Sequence, residues 1–405
     1  MQYKSIEEKF RSLGVDNAPG QEKLQKEEKL ELKGDPIIGD PVDFSHGDVD
    51  AHEPIPGSRE KMLEGIDAGG KQAYTEYRGA KNIREYLAGK LSQFTNTKID
   101  VHTELILTPG TQGALFLAMG AFVAKGDKVA IVEPDYFANR KMVEFLEGEM
   151  VPIPMNYLET EDGAGIDLNA LEDAFKNGVK VFLFSNPNNP VGNIYSDREI
   201  TEIGRLAKKY KVSVIVDQLY SRQIFDHRKY VHLCAKEERP EQMITIIGPS
   251  KTESLSGYRL GTAFGTPEII NRMEKLQAIV SLRTGGYNQA VYKAWFDEPE
   301  GWMEERINQH QSIRDVLVKK FEDAGGFTLR KTEGGSYLFV QCPELEVDIL
   351  TFVKILRKYA GVTVTPGTEF GPQFTNHFRI NFSQDKEKAM QAVDRIIEMV
   401  ERYKK

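Results

Sequence analysis

The sequence predicts an α/β fold, with a mostly parallel sheet covered by helices on both faces and followed by a smaller α+β lobe. Through the middle of the 405-residue chain, short apolar, β-branched runs alternate with stretches of helical periodicity. Such alternation is typical of a parallel sheet whose strands are connected by helices. After about Gln289 the pattern changes to a long charged helical stretch and then to short strands, which predicts the second lobe.

Each predicted element has its own signal. The strands of the sheet are predicted from five apolar runs: Glu104–Leu107, Lys128–Val132, Val181–Phe184, Val212–Val216 and Met243–Ile247. A helix is predicted from Ser196 to Lys211, and Ser196 and Glu199 have the spacing of a capping box. In the second lobe the sequence predicts a helix over residues 298–324, strands Phe327–Arg330 and Ser336–Gln341, a helix ending before Gly361, a strand pair and a final helix.

Composition and charge exclude several classes of protein. Hydrophobic residues make up 40% of the chain and charged residues 28%, as in a globular protein. The net charge is −8 and no basic stripe is present, so we predict no nucleic-acid partner. The apolar run from Leu115 to Ala124 is far below the ~20 residues of a membrane span, and the first residues lack the apolar core of a signal peptide. Cys234 and Cys342 cannot build a disulfide framework or a cysteine zinc site, so we expect a cytoplasmic protein without a membrane partner.

Motifs typical of nucleotide hydrolysis and of common metal enzymes are absent from the sequence. His46, Asp48, Asp50 and His52 lie close together, and their spacing could suggest a metal. Substrate contacts or ordinary loop polarity explain the same four residues. We therefore predict no metal site.

Polar residues follow the ends of the predicted strands, where open α/β sheets bind ligands. Residues 108–114 (T-P-G-T-Q-G-A) open a helix whose free N–H groups and dipole could bind a phosphate, although an ordinary strand-to-helix turn has the same character. Residues 185–192 (S-N-P-N-N-P-V-G) form a rigid loop that can aim an amide side chain. Asp217 and Tyr220 end the next strand, and a buried carboxylate there needs a cationic partner or its pKa rises.

Lys251 is the candidate nucleophile. It lies in residues 250–261 (S-K-T-E-S-L-S-G-Y-R-L-G), directly after the predicted strand Met243–Ile247. An amine in a desolvated, cation-rich pocket shifts toward its neutral form and can form an imine with an aldehyde. A single lysine on a loop is usually solvated surface, so the order and spacing of the other polar strings carry the case for catalysis.

Together these strings resemble the class I/II aminotransferases, pyridoxal 5′-phosphate enzymes with the aspartate aminotransferase fold (fold type I). The resemblance runs from about Phe44 to Phe382 and rests on N-P-N-N-P-x-G, D-x-x-Y and S-K-T-x-S-x-x-G-x-R-x-G in the family's order. It implies a large domain with a mostly parallel seven-stranded sheet between helices, and a smaller α+β domain. We expect residues 1–45 to be an N-terminal arm and connector that is part of the small domain, residues 46–297 the large cofactor-binding domain, and residues 298–405 the small C-terminal domain.

The resemblance also implies how the chain binds pyridoxal phosphate. Lys251 is the expected attachment site and proton carrier, and Asp217 would keep the ring nitrogen protonated. Asn189 and Tyr220 would hydrogen-bond the ring's phenolic oxygen, and Tyr136 would stack on the ring. Phosphate contacts are expected from Gly110, Thr111, Gln112, Ser250 and Arg259.

Substrate binding and subunit contacts follow from the same resemblance. Arg379 corresponds to the arginine that binds the substrate α-carboxylate beside Asn189, a role that suits a planar guanidinium, although it could instead be a structural arginine. Arg283 could receive a second acidic group of the substrate, contact a phosphate, or form an ion pair between subunits. Tyr77, or otherwise Tyr74, would reach the phosphate of the neighbouring subunit, so a homodimer with shared active sites is expected.

The predicted activity is transfer of an amino group between an amino acid and a 2-oxo acid by a ping-pong mechanism. A lyase, decarboxylase or synthase is the alternative, because the cofactor residues are shared among these chemistries. A non-enzymatic ligand sensor is disfavoured by the intact set of Lys251, Asp217 and Arg379. The sequence departs from the family at Gly248, where a serine often contacts the phosphate, and Ser250 is the candidate to replace it.

Overall fold

The computed structural model describes residues 5–14, 30–47, 49–160 and 162–405. Its strands, in chain order, are β1 (Val42–Asp43), β2 (Leu105–Pro109), β3 (Lys128–Glu133), β4 (Glu149–Pro154), β5 (Val179–Ser185), β6 (Ser213–Asp217), β7 (Met243–Ile247), β8 (Leu260–Gly265), β9 (Tyr337–Gln341), β10 (Val362–Thr363), β11 (Thr365–Pro366) and β12 (His377–Asn381). Its α-helices are α1 (Ile6–Leu13), α2 (Ser58–Asp67), α3 (Gly70–Ala73), α4 (Lys81–Thr95), α5 (Gly110–Phe122), α6 (Phe137–Phe145), α7 (Leu168–Lys176), α8 (Asp197–Tyr210), α9 (Pro267–Val280), α10 (Trp302–Ala324), α11 (Ile349–Ala360) and α12 (Lys386–Tyr403).

Seven strands form one large sheet in the order β2-β8-β7-β6-β5-β3-β4. The pairs β3–β4, β3–β5, β5–β6 and β6–β7 are parallel, whereas β8 runs antiparallel to β2 and β7. The predicted α/β fold with a mostly parallel seven-stranded sheet is therefore confirmed.

Helices cover both faces of the large sheet. Along β5, Phe182 and Phe184 pack into one apolar core, while Val181 and Leu183 pack into the other, because side chains alternate along a strand. Helices α4, α7 and α8 close the first core, and α5, α6 and α9 close the second. Each fully buried side chain of this size contributes about 1.5–3 kcal/mol, so the two cores hold the strand ends in fixed positions.

The second lobe has its own sheet and core. β9, β12 and β11 form an antiparallel sheet, and β1 pairs with β10 in parallel. Val42 and Phe44 are buried in the same core as α10, α11 and α12. The chain therefore enters this lobe near its start and returns to it near its end, which brings β12 beside the large sheet.

Local capping signals are confirmed where they were strongest. Ser196 Oγ accepts a hydrogen bond from the Glu199 N–H (3.3 Å), and Glu199 Oε2 accepts one from the Ser196 N–H (2.7 Å), which completes the capping box of α8. Helix α11 ends at Ala360, and Gly361 follows in the left-handed conformation, as expected for a helix C-terminus. The long helix α10 begins at Trp302, four residues later than predicted, after Gly301 at φ +82°.

One predicted strand is wrong, and two strands of the large sheet, β4 and β8, were not predicted. The predicted strand Phe327–Arg330 is reduced to an isolated bridge between Thr328 and Gln341. Strand β4 was missed because it is a partly exposed edge strand that contains Pro152 and Pro154, so no continuous apolar run marks it. Strand β8 was missed because glycines interrupt its apolar pattern and it overlaps the polar string that contains Lys251.

Candidate active site

The ends of β5, β6 and β7 meet the second lobe at a cavity of about 240 Å³. This is the edge where parallel strands present their carboxyl ends. The predicted site residues that line it are Thr111, Gln112, Tyr136, Asn189, Asp217, Tyr220, Ser250, Lys251, Arg259 and Arg379. The segments that carry them are far apart in the chain, so the fold brings these polar groups together.

One end of the cavity is suited to an anion. Helix α5 begins at Gly110 without a side-chain cap, so its first N–H groups are available to a ligand. Gly110 has φ +75°, and a Cβ there would lie 2.4 Å from Arg259 Nη2. Arg259 itself adopts φ +54°, and its Nη1 donates to Ser256 O (2.8 Å). The arginine is therefore held against the helix start, where it adds positive charge to the helix dipole.

Close packing explains the departure at Gly248. A Cβ on Gly248 would lie 2.7 Å from Thr111 Cγ2, and a Cβ on Gly261 would lie 2.1 Å from the carbonyl carbon of Gly110. A serine at position 248 would therefore require the Thr111 side chain, at the start of α5, to move. Ser250 lines the cavity, and its Oγ donates to Leu260 O (3.4 Å).

Asp217 provides negative charge at the floor of the cavity. Its Oδ1 accepts a hydrogen bond from the Leu219 N–H (3.1 Å). Burial raises the pKa of Asp217 to about 6. A buried carboxylate without a cation favours its protonated form, and a cationic partner would restore ionisation.

The loop after β5 is tied to the loop after β3. Asn188 Nδ2 donates to Pro134 O (3.0 Å), and the Asn189 N–H donates to Ser185 Oγ (3.2 Å). Ser185 Oγ in turn donates to Asp135, and burial raises the pKa of that carboxyl group to about 7. Asp135 was not singled out in the sequence, although it follows a strand end as the predicted residues do. It fixes the backbone beside Tyr136.

Tyr136 lies at the mouth of the same cavity. Its hydroxyl donates to Gln112 Oε1 (3.1 Å), and burial raises its pKa. The ring is thereby connected to the helix start that forms the anion end.

Arg379, on β12, forms the opposite side of the cavity. Nη1 donates to Asn189 Oδ1 (2.9 Å), and Nη2 donates to Ser45 O (3.1 Å). The guanidinium lies between two aromatic rings, 4.2 Å from the ring centroid of Tyr337 and 4.9 Å from that of Phe370. Within the described part of the chain, no carboxylate lies within ion-pair distance of it, and its Nε has no hydrogen-bond partner. A buried guanidinium in this state is suited to bind a carboxylate.

Lys251 lines the cavity beside two tyrosines. Among the described residues, its Nζ takes part in no hydrogen bond or ion pair, so the amine is free to meet a ligand. The Tyr220 hydroxyl donates to the Tyr337 hydroxyl (2.7 Å). Tyr337 and Ser45 also line the cavity but were not predicted from the sequence.

Tyr77, Tyr74 and Arg283 do not line this cavity but form one surface patch. Arg283 Nη1 donates to Thr75 O (2.8 Å), and its guanidinium lies 5.0 Å from the ring centroid of Tyr74 and 5.3 Å from that of Tyr77. Tyr74 is 79% exposed, and the neighbouring Ile279 is 82% exposed. The three predicted residues thus come together outside the pocket of their own chain.

No group of side chains suited to a metal occurs among the described residues. Of the four residues considered for a metal, Asp48 lies outside the described residues. His52 is buried and stacks on His310, with a ring-centroid distance of 4.2 Å. In the same part of the chain, every helix is too short or too polar to cross a membrane.

The cavity fits pyridoxal phosphate in its chemistry. The start of α5 with Arg259 suits a phosphate, the partly buried Asp217 suits a protonated ring nitrogen, and Lys251 supplies an amine for the aldehyde. The tight contacts at Gly110 and Gly261 leave no room for a side chain in the anion end.

Comparisons with known proteins agree with this chemistry. A family model for aminotransferase class I and II matches residues 40–396. A crystal structure of an aspartate aminotransferase from Rhodobacter sphaeroides 2.4.1 has 56% sequence identity and a TM-score of 0.94, over 99% of this chain and 100% of that chain.

Two more distant relatives are also named as aminotransferases, but their names specify different amino acids. Aspartate aminotransferase of Sulfolobus acidocaldarius is 28% identical over 347 residues, 84% of this chain and 86% of that protein. Aromatic-amino-acid aminotransferase 2 of Thermococcus litoralis is 26% identical over 370 residues, 91% of each chain. All three relatives are aminotransferases, which favours transamination over the lyase, decarboxylase and synthase alternatives. Because the family model spans most of its length, the chain belongs to the class I and II aminotransferases and is a pyridoxal-phosphate-dependent enzyme.

Proposed function

We propose that this aminotransferase holds its cofactor on Lys251 and its amino-acid substrate on Arg379. The observation that carries the proposal is that Lys251, Asp217 and Arg379 line one cavity, although they come from three segments of the chain. The negative group lies on the large sheet and the carboxylate-binding group on the second lobe. A substrate bound between them would face the lysine amine.

The cofactor would be held at three points. The N–H groups of Thr111 and Gln112, the hydroxyl of Ser250 and the guanidinium of Arg259 would bind the phosphate beside Gly110. Tyr136 would stack on the ring. Asn189 and Tyr220 would donate hydrogen bonds to the ring's phenolic oxygen, with Asn189 also contacting Arg379.

The residues divide the work of proton transfer. When bound, pyridoxal phosphate supplies an electron-poor ring that accepts the electron pair left by cleavage of the substrate Cα–H bond. Lys251 would take this proton after the substrate amine has displaced it, and would later return a proton. Asp217 would hold a proton on the ring nitrogen, and Arg379 would orient the substrate carboxylate so that the Cα–H bond faces Lys251. In balance, one amino acid becomes a 2-oxo acid and a second 2-oxo acid becomes an amino acid.

A homodimer would complete each site. Tyr77 and Arg283 lie together on an exposed patch with Ile279, Val280 and Leu282. An apolar patch of this kind is typical of a surface that another chain covers. In a symmetric dimer, Tyr77, or otherwise Tyr74, would reach the phosphate in the partner's cavity.

Arg283 would give the enzyme a preference for acidic amino acids. The relative with 56% identity is an aspartate aminotransferase, which supports an acidic substrate for this chain. Arg283 is partly exposed, and among the described residues its one hydrogen bond is from Nη1 to Thr75 O, so the guanidinium retains donors for a second carboxylate. A phosphate contact or an ion pair between subunits is the alternative role.

Absorption spectra and one variant test the proposed chemistry. The purified protein should show a visible cofactor band that an acidic amino acid bleaches as its 2-oxo acid appears. Lys251→Ala should abolish turnover and leave far-ultraviolet circular dichroism unchanged. Lys209→Ala, which removes an exposed lysine of α8, serves as the control. Turnover near the wild-type rate in Lys251→Ala would contradict the assignment.

Mixing Lys251→Ala with Arg283→Ala, which should have lost activity toward acidic donors, tests the shared site. If Arg283 acts in the partner's cavity, a dimer of one Lys251→Ala chain and one Arg283→Ala chain contains one site with both residues intact. Random pairing should then restore about a quarter of the sites for acidic substrates. Arg205→Ala, at an exposed arginine of α8, is the control. An unchanged ratio of acidic to neutral donor rates in Arg283→Ala would exclude the specificity role, and absence of complementation would exclude the shared site.

We also propose a cytoplasmic location and a division into domains near residues 46 and 298. Cys234 and Cys342 are buried and unbonded, which supports a reducing compartment. Separate apolar cores around the large sheet and in the second lobe support the division. Cell fractionation tests the location, and limited proteolysis tests the boundaries.

A further inference from the structure

Tyr337 contacts both the phenol of Tyr220 and the guanidinium of Arg379. It opens β9, on the second lobe, and is buried in the cavity wall. Its hydroxyl accepts the hydrogen bond of the Tyr220 hydroxyl (2.7 Å). Its ring centroid lies 4.2 Å from the guanidinium carbon of Arg379. One side chain thus touches both the phenol proposed for the cofactor and the arginine proposed for the substrate.

The electrostatic surroundings of Tyr337 come from several elements. Burial by itself raises the pKa of Tyr337, but the positive charges of Lys251 and Arg379, with the hydrogen bond from Tyr220, bring it below its ordinary value. Tyr136 is a further titratable group on this side of the cavity. Burial and the neighbouring phenol raise the pKa of Tyr220 in turn. Between the two phenols, Tyr337 is therefore the one that releases a proton more easily.

We propose that Tyr337 is a positioning residue that couples carboxylate binding at Arg379 to the hydroxyl of Tyr220. When Tyr220 donates its one hydroxyl proton to the cofactor, the hydroxyl of Tyr337 becomes the donor to Tyr220, while the ring of Tyr337 holds the face of the guanidinium. A carboxylate bound to Arg379 neutralises the charge next to Tyr337, and the paired phenols then hold their protons more firmly. The inference rests on the proposed function, because it assigns Arg379 to the substrate and Tyr220 to the cofactor.

Two variants test the roles of the Tyr337 hydroxyl and of the Tyr337 ring separately. Tyr337→Phe keeps the ring over Arg379 and leaves the buried Tyr220 hydroxyl without its acceptor. Tyr337→Leu removes the ring as well. Tyr195→Phe is the matched control, since Tyr195 is a buried tyrosine whose hydroxyl has no hydrogen-bond partner among the described residues.

The first measurement is a phenolate titration of the cofactor-free protein by ultraviolet absorbance. In the wild type and in Tyr195→Phe, one phenol should ionise below the ordinary pKa of about 10. Saturating succinate should move that ionisation to higher pH, and Tyr337→Phe should lack it. The same curve in Tyr337→Phe as in the wild type, or a low-pH ionisation that succinate does not move, would overturn the inference.

The second measurement is succinate binding to the same proteins by calorimetry. Tyr337→Phe should bind succinate about as tightly as the wild type, whereas Tyr337→Leu should bind roughly tenfold more weakly through loss of a buried cation–π contact. Equal affinities for all three would refute the ring's role. Neither measurement uses turnover. A negative result would therefore refute the role of Tyr337 without affecting the assignment of Lys251. Turnover near the wild-type rate in Lys251→Ala would refute the proposed function independently of Tyr337.

Discussion

Two sets of charged side chains in this molecule differ in whether the chain itself supplies a counter-ion. Where the second lobe meets the loop after β6, Arg314 donates two hydrogen bonds to Asp226 (2.8 and 3.0 Å), and this lowers the pKa of Asp226. In the cavity, Asp217 and Arg379 have no such partners within the described residues. Asp217 accepts a backbone N–H, and Arg379 contacts neutral oxygens and two aromatic rings.

The comparison distinguishes scaffold from binding site. A charge that the chain itself neutralises stabilises the fold, because its desolvation is offset by its partner. A charge left without a counter-ion costs stability and is retained where a ligand supplies the missing charge. Asp217 and Arg379 lie on opposite sides of one cavity, so one bound cofactor and one bound substrate would satisfy both. The following variants test whether the two classes behave differently.

The largest effect is expected from Asp217→Asn. Asparagine cannot stabilise a proton on the ring nitrogen, so kcat should fall by roughly 10²–10⁴-fold, the range typical for loss of a group that controls proton transfer. Asp226→Asn should leave kcat near the wild-type value. Steady-state kinetics with aspartate and 2-oxoglutarate provides the measurement, and equal losses in the two variants would break the distinction.

A smaller kinetic effect is expected from Arg379→Lys. A lysine keeps the charge but cannot bind a carboxylate through two parallel hydrogen bonds, so kcat/KM should fall by roughly 10²-fold, largely through KM. Arg314→Lys should leave KM unchanged and lower the thermal midpoint instead. A raised KM in Arg314→Lys, or an unchanged KM in Arg379→Lys, would contradict the separation of roles.

Opposite effects on stability are expected from Asp217→Asn and Asp226→Asn in the cofactor-free protein. The folded pKa of Asp217, about 6, exceeds the ordinary 3.8, so ionisation at neutral pH destabilises the fold. Asparagine removes this cost and should raise the free energy of unfolding by on the order of 2 kcal/mol at pH 7. The gain should shrink as the pH falls from about 6 toward 3.8 and vanish only below 3.8, where the carboxyl group is protonated in both the folded and the unfolded state.

For Asp226 the sign is reversed. Its folded pKa is lowered, so its stabilising effect is present above the ordinary pKa and is lost as the pH falls through the folded pKa. Asp226→Asn should lower stability by about 1 kcal/mol, since the partly exposed pair is screened by water. Urea unfolding at pH 7 and pH 4 measures the stability of both variants. A loss of stability in Asp217→Asn at pH 7 would contradict the claim that ionised Asp217 destabilises the cofactor-free fold.

The smallest effect is expected from Ser196→Ala at the start of α8. Loss of the capping box should lower the free energy of unfolding by about 1 kcal/mol. The kinetic constants should not change, because Ser196 lies outside the cavity and belongs to the scaffold. A change in KM would mean that the scaffold and the binding site are less separate than the charge comparison indicates.

Much of the site could be predicted because its residues follow strands that the sequence marks clearly. Lys251, Asp217 and Asn189 each lie within a few residues of the end of an apolar run, and their order along the chain gave the family resemblance. The resemblance also identified Arg379, which lies inside a strand and has no local signal of its own. Their roles stay predictions until the variants are measured.

Residues whose partners are distant in sequence could not be predicted in this way. Tyr337 meets Tyr220 across 117 residues. Asp135 meets Ser185 across 50 residues. Nothing in the neighbouring sequence of either residue indicates such a contact. Strand β4 was missed for a related reason, since its pairing with β3 compensates for a weak apolar pattern.

The sequence by itself determined the alternation of strands and helices, the capping of α8 and the polar strings at the strand ends. These features depend on periodicity and on hydrogen bonds between residues a few positions apart. Only the tertiary structure decided that Arg379 lies between two aromatic rings, that two phenols share a hydrogen bond, and that Tyr77 and Arg283 lie together on the surface. Those contacts form because burial of the apolar cores brings segments that are distant in sequence close together in space. The residues next to each contact in the sequence carry no signal of which distant partner it will meet.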